Sequence, residues 1–341
     1  MYLIPADRVR DSGDIPNLHA YNANSNNFTI FESLNSFIVE INKNQITMIY
    51  AFLFMWMLFA NTGAKNHPAP ATKIAGYNLT KADNYWTLPD ILKEISGIVS
   101  VDGSSVACVQ DEKGTVFIYN FKNNKITSNI KFNDDGDYED LALVNKTIYI
   151  LKSDGNIYES ASLSSDNEKT RKTETKVPSE DNEGLCYDQV TKKLLIGCKG
   201  DIKNDKYKNK RAIYVFDQNK KSLSSKPFLV IDPKVIKKFL AEKNRNSGKN
   251  DEDNDDFDID FRMSAIGIHP ITKKIFVVCA SDFLICVFNR EGVPENIELL
   301  DRKLFNKTEG IAFLPNGDVL FSNEGENGKP SLMRFNYKSK Q

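Results

Sequence analysis

From residue 72 to the C-terminus, short apolar runs rich in β-branched and aromatic residues alternate with clusters of Gly, Asn, Asp and Lys. That is the pattern of short strands bounded by turns. The runs come in sets of four, most plainly GLCYD, KKLLIGCKG, RAIYVFD and KPFLVID between Gly184 and Asp232. An earlier set reads SGIVSV, SVACVQ, GTVFIYN and KITSNIKF, and a later one SAIGIH, KIFVVCAS, FLICVFNR and NIELLD. A short motif opens each set: Ser96-Gly97-Ile98, Glu139-Asp140-Leu141-Ala142, Glu183-Gly184-Leu185-Cys186, Ser264-Ala265-Ile266-Gly267 and Glu309-Gly310-Ile311-Ala312. Successive motifs lie 43, 44, 81 and 45 residues apart. Four strands per ~40–45 residues is the size of a propeller blade, so an all-β propeller is expected.

The long interval leaves room for a sixth blade, but its content is not strand-like. Asp232 reads as an N-cap and Pro233 as the first helical residue, with Val235, Ile236, Phe239 and Leu240 on one face. Lys243 to Asp260 is charged and of low complexity. Residues 233–260 therefore read as an insertion between the third and fourth blades, which gives five blades, with six as the alternative. The last set lacks a fourth strand. Ile74–Thr80, IAGYNLT, is expected to pair with it and close the ring, since an open ring exposes unpaired edges.

The first strand of each blade lines a propeller's channel, so the motifs should gather Glu139, Glu183 and Glu309 at one mouth, with Ser96 and Ser264 completing the ring. Two carboxylates about 5 Å apart repel by roughly 3 kcal/mol at an effective dielectric near 20. A cation must sit among them, or Lys199 or Arg262 must pair with them, or they must hold protons. Hard oxygen donors without clustered His or thiolate favour calcium, with magnesium as the alternative, over zinc or copper. Asp111, Glu112, Asn323 and Glu324, at the ends of second strands, are further candidate ligands. The plainer reading is that these residues only hydrogen-bond neighbouring strands. The stretch Asp251–Asp260 lacks the Gly an EF-hand needs at its sixth position, where Asp256 stands, and reads as a solvated acidic loop.

Charge and composition narrow the field. Lys and Arg number 45 against 46 Asp and Glu, so no basic footprint for nucleic acid exists. The three histidines are His19, His67 and His269, of which only the last falls in the propeller, so two-histidine metal or catalytic sites are excluded. His269, in an IHP turn, reads as a surface residue. The five cysteines lie in apolar runs without C-x-x-C spacing and read as buried thiols. Residues 1–47 are polar and Asn/Ser-rich, a poorly structured extension or an over-extended start with Met48 as the true one. Ile49–Ala60 is an uncharged apolar run followed by Thr62-Gly63-Ala64, so 48–68 reads as a signal peptide or membrane anchor, and the domain at 72–341 as exported, periplasmic or envelope-associated.

Taken together, ISGI, YEDLAL, NEGLCYD, SAIGIHP and TEGIAFLPNGDVLFSNEG resemble the SdiA-regulated (YjiK/CarP-like) family of bacterial β-propellers over residues 72–341. The resemblance implies an exported or membrane-associated propeller, linked in part of the family to calcium responses and compared with phytases. The polar first 47 residues and the insertion at Lys243–Asp260 depart from it. The leading expectation is a monomeric calcium-associated propeller that binds a small ligand or envelope protein at the channel mouth. The alternatives are a metal-dependent hydrolase, phytase-like or a lactonase, with Lys199 and Arg262 near the metal, and an interaction scaffold.

Overall fold

The computed structural model describes residues 74, 76–160, 170–246, 259–326 and 328–339. The expectations for residues 1–68, and for the acidic stretch at 251–258, lie outside the described residues.

Strand β1 (Asn84–Thr87) precedes the first repeat. Blade 1 is β2 (Ile95–Ser100), β3 (Ser105–Gln110), β4 (Thr115–Asn120) and β5 (Lys125–Lys131). Blade 2 is β6 (Tyr138–Val144), β7 (Thr147–Lys152), β8 (Asn156–Ser160) and β9 (Arg171–Glu174). Blade 3 is β10 (Asn182–Asp188), β11 (Lys193–Cys198), β12 (Arg211–Asp217), and the short β13 (Ser222–Leu223) and β14 (Leu229–Ile231), which both pair with β12. Helix α1 (Pro233–Asn246) follows. Blade 4 is β15 (Ala265–Ile268), β16 (Ile275–Cys279), β17 (Leu284–Phe288) and β18 (Pro294–Leu299). Blade 5 is β19 (Thr308–Phe313), β20 (Val319–Asn323) and β21 (Ser331–Phe335), completed by β1. Neighbouring strands within each blade pair antiparallel, and the innermost strands touch in the cyclic order β2, β6, β10, β15, β19, β2. The chain is a five-bladed propeller.

The sequence pattern explains the layering. Second strands such as β3 (SVACVQ) and β16 (IFVVC) are apolar on both faces and buried throughout, because each is covered by a blade on either side. Outer strands alternate: β5 (KITSNIK) turns its polar positions to solvent. The core is accordingly five apolar clusters, one between each pair of adjacent blades.

Ring closure is displaced from the expected segment. The closing strand is β1, in register Asn84↔Arg334 to Thr87↔Ser331, not Ile74–Thr80. Gly76, at φ +94°, turns the earlier segment, and Asn78 Oδ1 accepts the Thr80 N–H at 3.1 Å, so neither end stays extended. Ile74, Tyr77 and Leu79 are instead plugs, buried against Phe276, Val319 and Phe335 between blades 4 and 5.

In the insertion, Asp232 Oδ1 accepts the Lys234 N–H at 3.0 Å, as an N-cap should. Ile236 and Leu240 bury beside Leu229, Met263 and Ile297, while Val235, expected on the same face, is exposed. All five cysteines are free thiols, four buried and Cys186 partly exposed.

Adjacent blades are also joined by polar contacts. Asp140 is buried and accepts the Leu141 N–H with Oδ1 at 2.8 Å and the Leu185 N–H of the next blade with Oδ2 at 2.6 Å. A Cβ on the facing Gly97 would lie 2.1 Å from Asp140 Oδ1, which is why a glycine stands there. Since both carboxylate oxygens accept, an amide replaces one acceptor with a donor facing an N–H. Asp140→Asn should therefore destabilise by about 1–3 kcal/mol. Denaturant unfolding should show a lower midpoint at constant slope; an unchanged midpoint would mean the bridge contributes nothing.

Candidate functional site

The innermost strands share an irregularity that builds the site. Their pairing with the second strands slips at Ile95/Ile98, Tyr138/Asp140, Asn182/Gly184 and Thr308/Gly310. Ser96, Glu139, Glu183 and Glu309 each fall within such a bulge, which leaves the residue out of the ladder and re-aims its side chain. Ser264, immediately before β15, occupies the fifth position.

Electrostatics tie the three glutamates together. Burial, then the charge of Glu183 and of Asp137, pushes Glu139 up to about 10. Burial, then Glu183 and Glu324, raises Glu309 to about 8. Glu183 itself is raised by burial to about 7, against the opposing pull of Lys199. The second-strand ends join the same field. Burial with Glu94, Glu112 and Asp137 lifts Asp111 to about 6, and burial lifts Glu324 to about 7 although Lys307 pulls it down. Two ammonium groups offset this excess. Lys199 pairs with Glu183 Oε1, and Lys307 pairs with Glu324 at 2.6 Å and reaches Glu326 at 3.9 Å. Burial pulls Lys199 down, but Glu183 and Glu309 outweigh it and leave it raised. Glu183 is only 6% exposed, and its Oε2, like Asp111 Oδ1, is buried without a hydrogen-bond partner among the described residues.

The remaining sequence candidates divide. Asn323 is a structural knot: Oδ1 accepts from Thr308 Oγ1 at 2.6 Å, and Nδ2 donates to the Leu304 carbonyl at 3.0 Å and to Ser331 Oγ at 3.2 Å. The Ser264 hydroxyl donates to the Thr308 carbonyl at 2.7 Å, and the Ser96 carbonyl accepts from Ser322 Oγ at 3.1 Å, so both hold adjacent blades together. Glu112 is exposed on its turn. Arg262 pairs with Asp260 at 3.5 Å, beside the Arg211–Asp260 bridge, rather than with a ring glutamate. Sequence reasoning missed Lys307, Glu94, Asp137 and Asp181. The signal was present: the position two before every motif is charged, as Glu94, Asp137, Asp181, Arg262 and Lys307.

Among the described residues no three Asp, Glu, His or Cys side chains stand in an arrangement ready to hold a metal ion. What the mouth has is oxygen donors in excess of the two lysines that pair with them, with burial and mutual repulsion pushing the carboxyls toward the protonated form.

The opposite end of the channel, at the C-terminal ends of the innermost strands, opens into a cavity of about 280 Å³. Its walls include Ile98, Leu141, Leu185, Ile266 and Ile311, one from each blade, and His269. His269 does occupy a turn, but it is 1% exposed rather than at the surface, boxed in by the rings of Tyr77, Phe276, Phe313 and Tyr337.

No protein-family model matches the sequence, and no curated protein matches it. Among solved structures, the glutaminyl cyclase of Myxococcus xanthus is similar at a TM-score of 0.50 and 11% identity, over 76% of this chain and 97% of that one. A streptogramin B lyase is similar at 0.43 and 13% identity, over 75% and 97%. A chain of a nidogen/laminin complex is similar at 0.43 and 13% identity, over 68% and 72%. What the chain shares with the cyclase is the β-propeller fold.

Proposed function

We propose that this chain is a ligand-binding propeller whose acidic channel mouth takes a divalent cation, calcium above all, and through it a small ligand or an envelope partner. One observation carries the reading: Glu183 Oε2 is buried without a partner among the described residues, amid carboxyls that burial and one another push toward the protonated form. Calcium takes about six to eight oxygen ligands in flexible geometry, which suits carboxylates now held by protons and lysine. Glu139, Glu183 and Glu309 would be its ligands, with Asp111 and Glu324 in reach of the same field. Lys199 would then give up its hold on Glu183. The likeness of the motifs to SdiA-regulated propellers supports the same assignment, and with it an exported or envelope-associated protein. Among the described residues no helix is long and apolar enough to cross a membrane.

Calorimetric titration of calcium into chelator-treated protein tests this. Binding should release protons, so the heat should vary with the ionisation enthalpy of the buffer. Calcium at a hundredfold over Kd should raise Tm by about 5–10 °C. Glu183→Gln should weaken binding by about tenfold or more, worth at least ~1.4 kcal/mol. Absence of both heat and Tm shift with calcium and with magnesium, from mildly acidic to alkaline pH, would overturn the reading.

A further inference from the structure

A second cavity, of about 430 Å³, lies outside the channel, where the insertion leaves blade 3 and returns to blade 4. Its walls come from the loop between β11 and β12, the start of β12, the beginning of α1 and the approach to β15. Four cationic side chains line it, Arg211, Lys234, Lys237 and Arg262, against two carboxylates, Asp201 and Asp260. Both carboxylates are engaged. Asp201 accepts from Arg211 Nη1 at 3.0 Å, and Asp260 accepts from Arg211 Nη2 at 2.8 Å and pairs with Arg262 at 3.5 Å. The nearby Asp232 pairs with Lys210 at 3.5 Å and caps the Lys234 N–H. Lys234 and Lys237 are exposed and have no carboxylate partner among the described residues.

Those two lysines work against the helix that carries them. The start of a helix is its positive pole, where acids stabilise and cations cost, yet the first turn of α1 holds Lys234 and no acid. Lys237 stands three residues on, on the same face, where like charges repel. Residues that oppose local preference without a structural return mark functional sites. The backbone itself has nothing to offer a ligand, since the Lys234 N–H goes to Asp232 Oδ1 and those of Val235 and Ile236 to the Asp232 carbonyl. The donors within reach are therefore the side chains. Arg211, 4% exposed, has both terminal nitrogens committed and its Nε buried without a partner among the described residues, so it adds fixed positive charge to the wall rather than a free donor. Arg262 is held on a fixed backbone: the Asp282 carboxylate accepts the N–H groups of Asp260, Phe261 and Arg262, and Phe261, at φ +51°, is fully buried.

We propose that this cavity binds a small phosphorylated compound, its phosphate oxygens accepting from the ammonium groups of Lys234 and Lys237 and the guanidinium of Arg262. Four cations less two carboxylates leave two positive charges on the walls, and a phosphate monoester, at about −1.5 to −2 near neutrality, cancels them. A volume of about 430 Å³ falls in the range of small-ligand sites, so a body attached to the phosphate is accommodated. That body is polar: the lining includes no aromatic side chain among the described residues, so a nucleobase would find no ring to stack on. The site shares no residue with the glutamate ring and is independent of cation binding there.

Lysine acetylation in the chelator-treated full-length protein, read by peptide mass spectrometry, tests this. Glucose 6-phosphate at about ten times its calorimetric Kd should slow acetylation of Lys234 and Lys237 by about tenfold. Lys238, on the same helix with its side chain 77% exposed, is the internal control and should react at an unchanged rate. Glucose with sodium chloride at the same ionic strength should protect none of the three. The double variant Lys234→Gln/Lys237→Gln should bind glucose 6-phosphate at least about tenfold more weakly. Without ligand it should melt no lower than the wild type, because it removes a cost to the helix, so loss of binding is not mistaken for loss of folding. Glu183→Gln should leave the protection intact, which separates this site from the proposed cation site. No protection by glucose 6-phosphate, inorganic phosphate or pyrophosphate, equal protection of Lys238, or protection by chloride alone would overturn the proposal. So would unchanged affinity or a lower Tm in the double variant.

Discussion

A chain beginning at Leu88 should fail to form a stable propeller. It loses β1, the outer strand of blade 5, whose pairing with β21 brings the start of the domain onto its last sheet. It also loses Ile74, Tyr77 and Leu79, which are 3%, 7% and 1% exposed. Burying a side chain of that size contributes about 1.5–3 kcal/mol, so three of them represent about 5–9 kcal/mol. A domain's whole stability is commonly about 5–15 kcal/mol. The truncated chain would in addition present β21 as an unpaired edge, open to association. We expect loss of a cooperative thermal transition and aggregated material on size exclusion, with partial recovery when a peptide of residues 74–88 is supplied in trans. A truncated chain that melts like the full-length protein would show that closure contributes nothing.

The second large effect concerns pH. In the unfolded chain the mouth carboxyls titrate near 4 to 4.5. In the folded protein they hold their protons up to about 6 for Asp111, 7 for Glu183 and Glu324, 8 for Glu309 and 10 for Glu139. Across that interval the native state binds more protons than the unfolded state, so stability declines as pH rises. His269 works in the opposite sense below neutrality: burial, then Lys273 and Lys274, lowers it to about 4, so the native state binds fewer protons up to its ordinary value of 6.5. Above neutrality His269 drops out; the buried thiols, raised from an ordinary value near 9, add to the same decline as pH approaches 9, so Glu139→Gln is what separates the carboxyl share. Calcium-free protein should lose at least about 5 °C of Tm between pH 7 and 9, a shift of one to two kcal/mol for a domain of this size. Glu139→Gln should flatten that decline and raise Tm at pH 8, and saturating calcium should reverse its slope. A flat profile in the wild type would mean the carboxyls are solvated.

The five-blade architecture was legible because each blade carries the same four-strand pattern at a nearly constant interval, and because Asp232-Pro233 and the charged stretch after Lys243 break it where the interval doubles. The closing strand was misplaced by about ten residues, since IAGYNLT and NYWT are equally strand-like and only the turn at Gly76 distinguishes them. The glutamate ring was legible for the same reason as the blades: repeat register places equivalent residues on one circle. How the ring is neutralised was not, because Lys199 and Lys307 compete for the same acids and only packing decides the pairs. Asn323 looked like a ligand, and only the approach of Leu304, Thr308 and Ser331 shows that its amide is fully engaged. His269 looked superficial because the rings that bury it, Tyr77 and Tyr337, come from the two ends of the domain.

The free thiols bear on where such a protein can work. Cys108, Cys198, Cys279 and Cys286 are sealed inside blade interfaces and form no covalent bridges. Burial also pushes Cys108 and Cys198 up to about 12, far from the reactive thiolate. The blades are held together by apolar packing, hydrogen bonds and ion pairs such as Arg290–Asp188 and Lys221–Glu159, so no contact between them depends on an oxidised thiol.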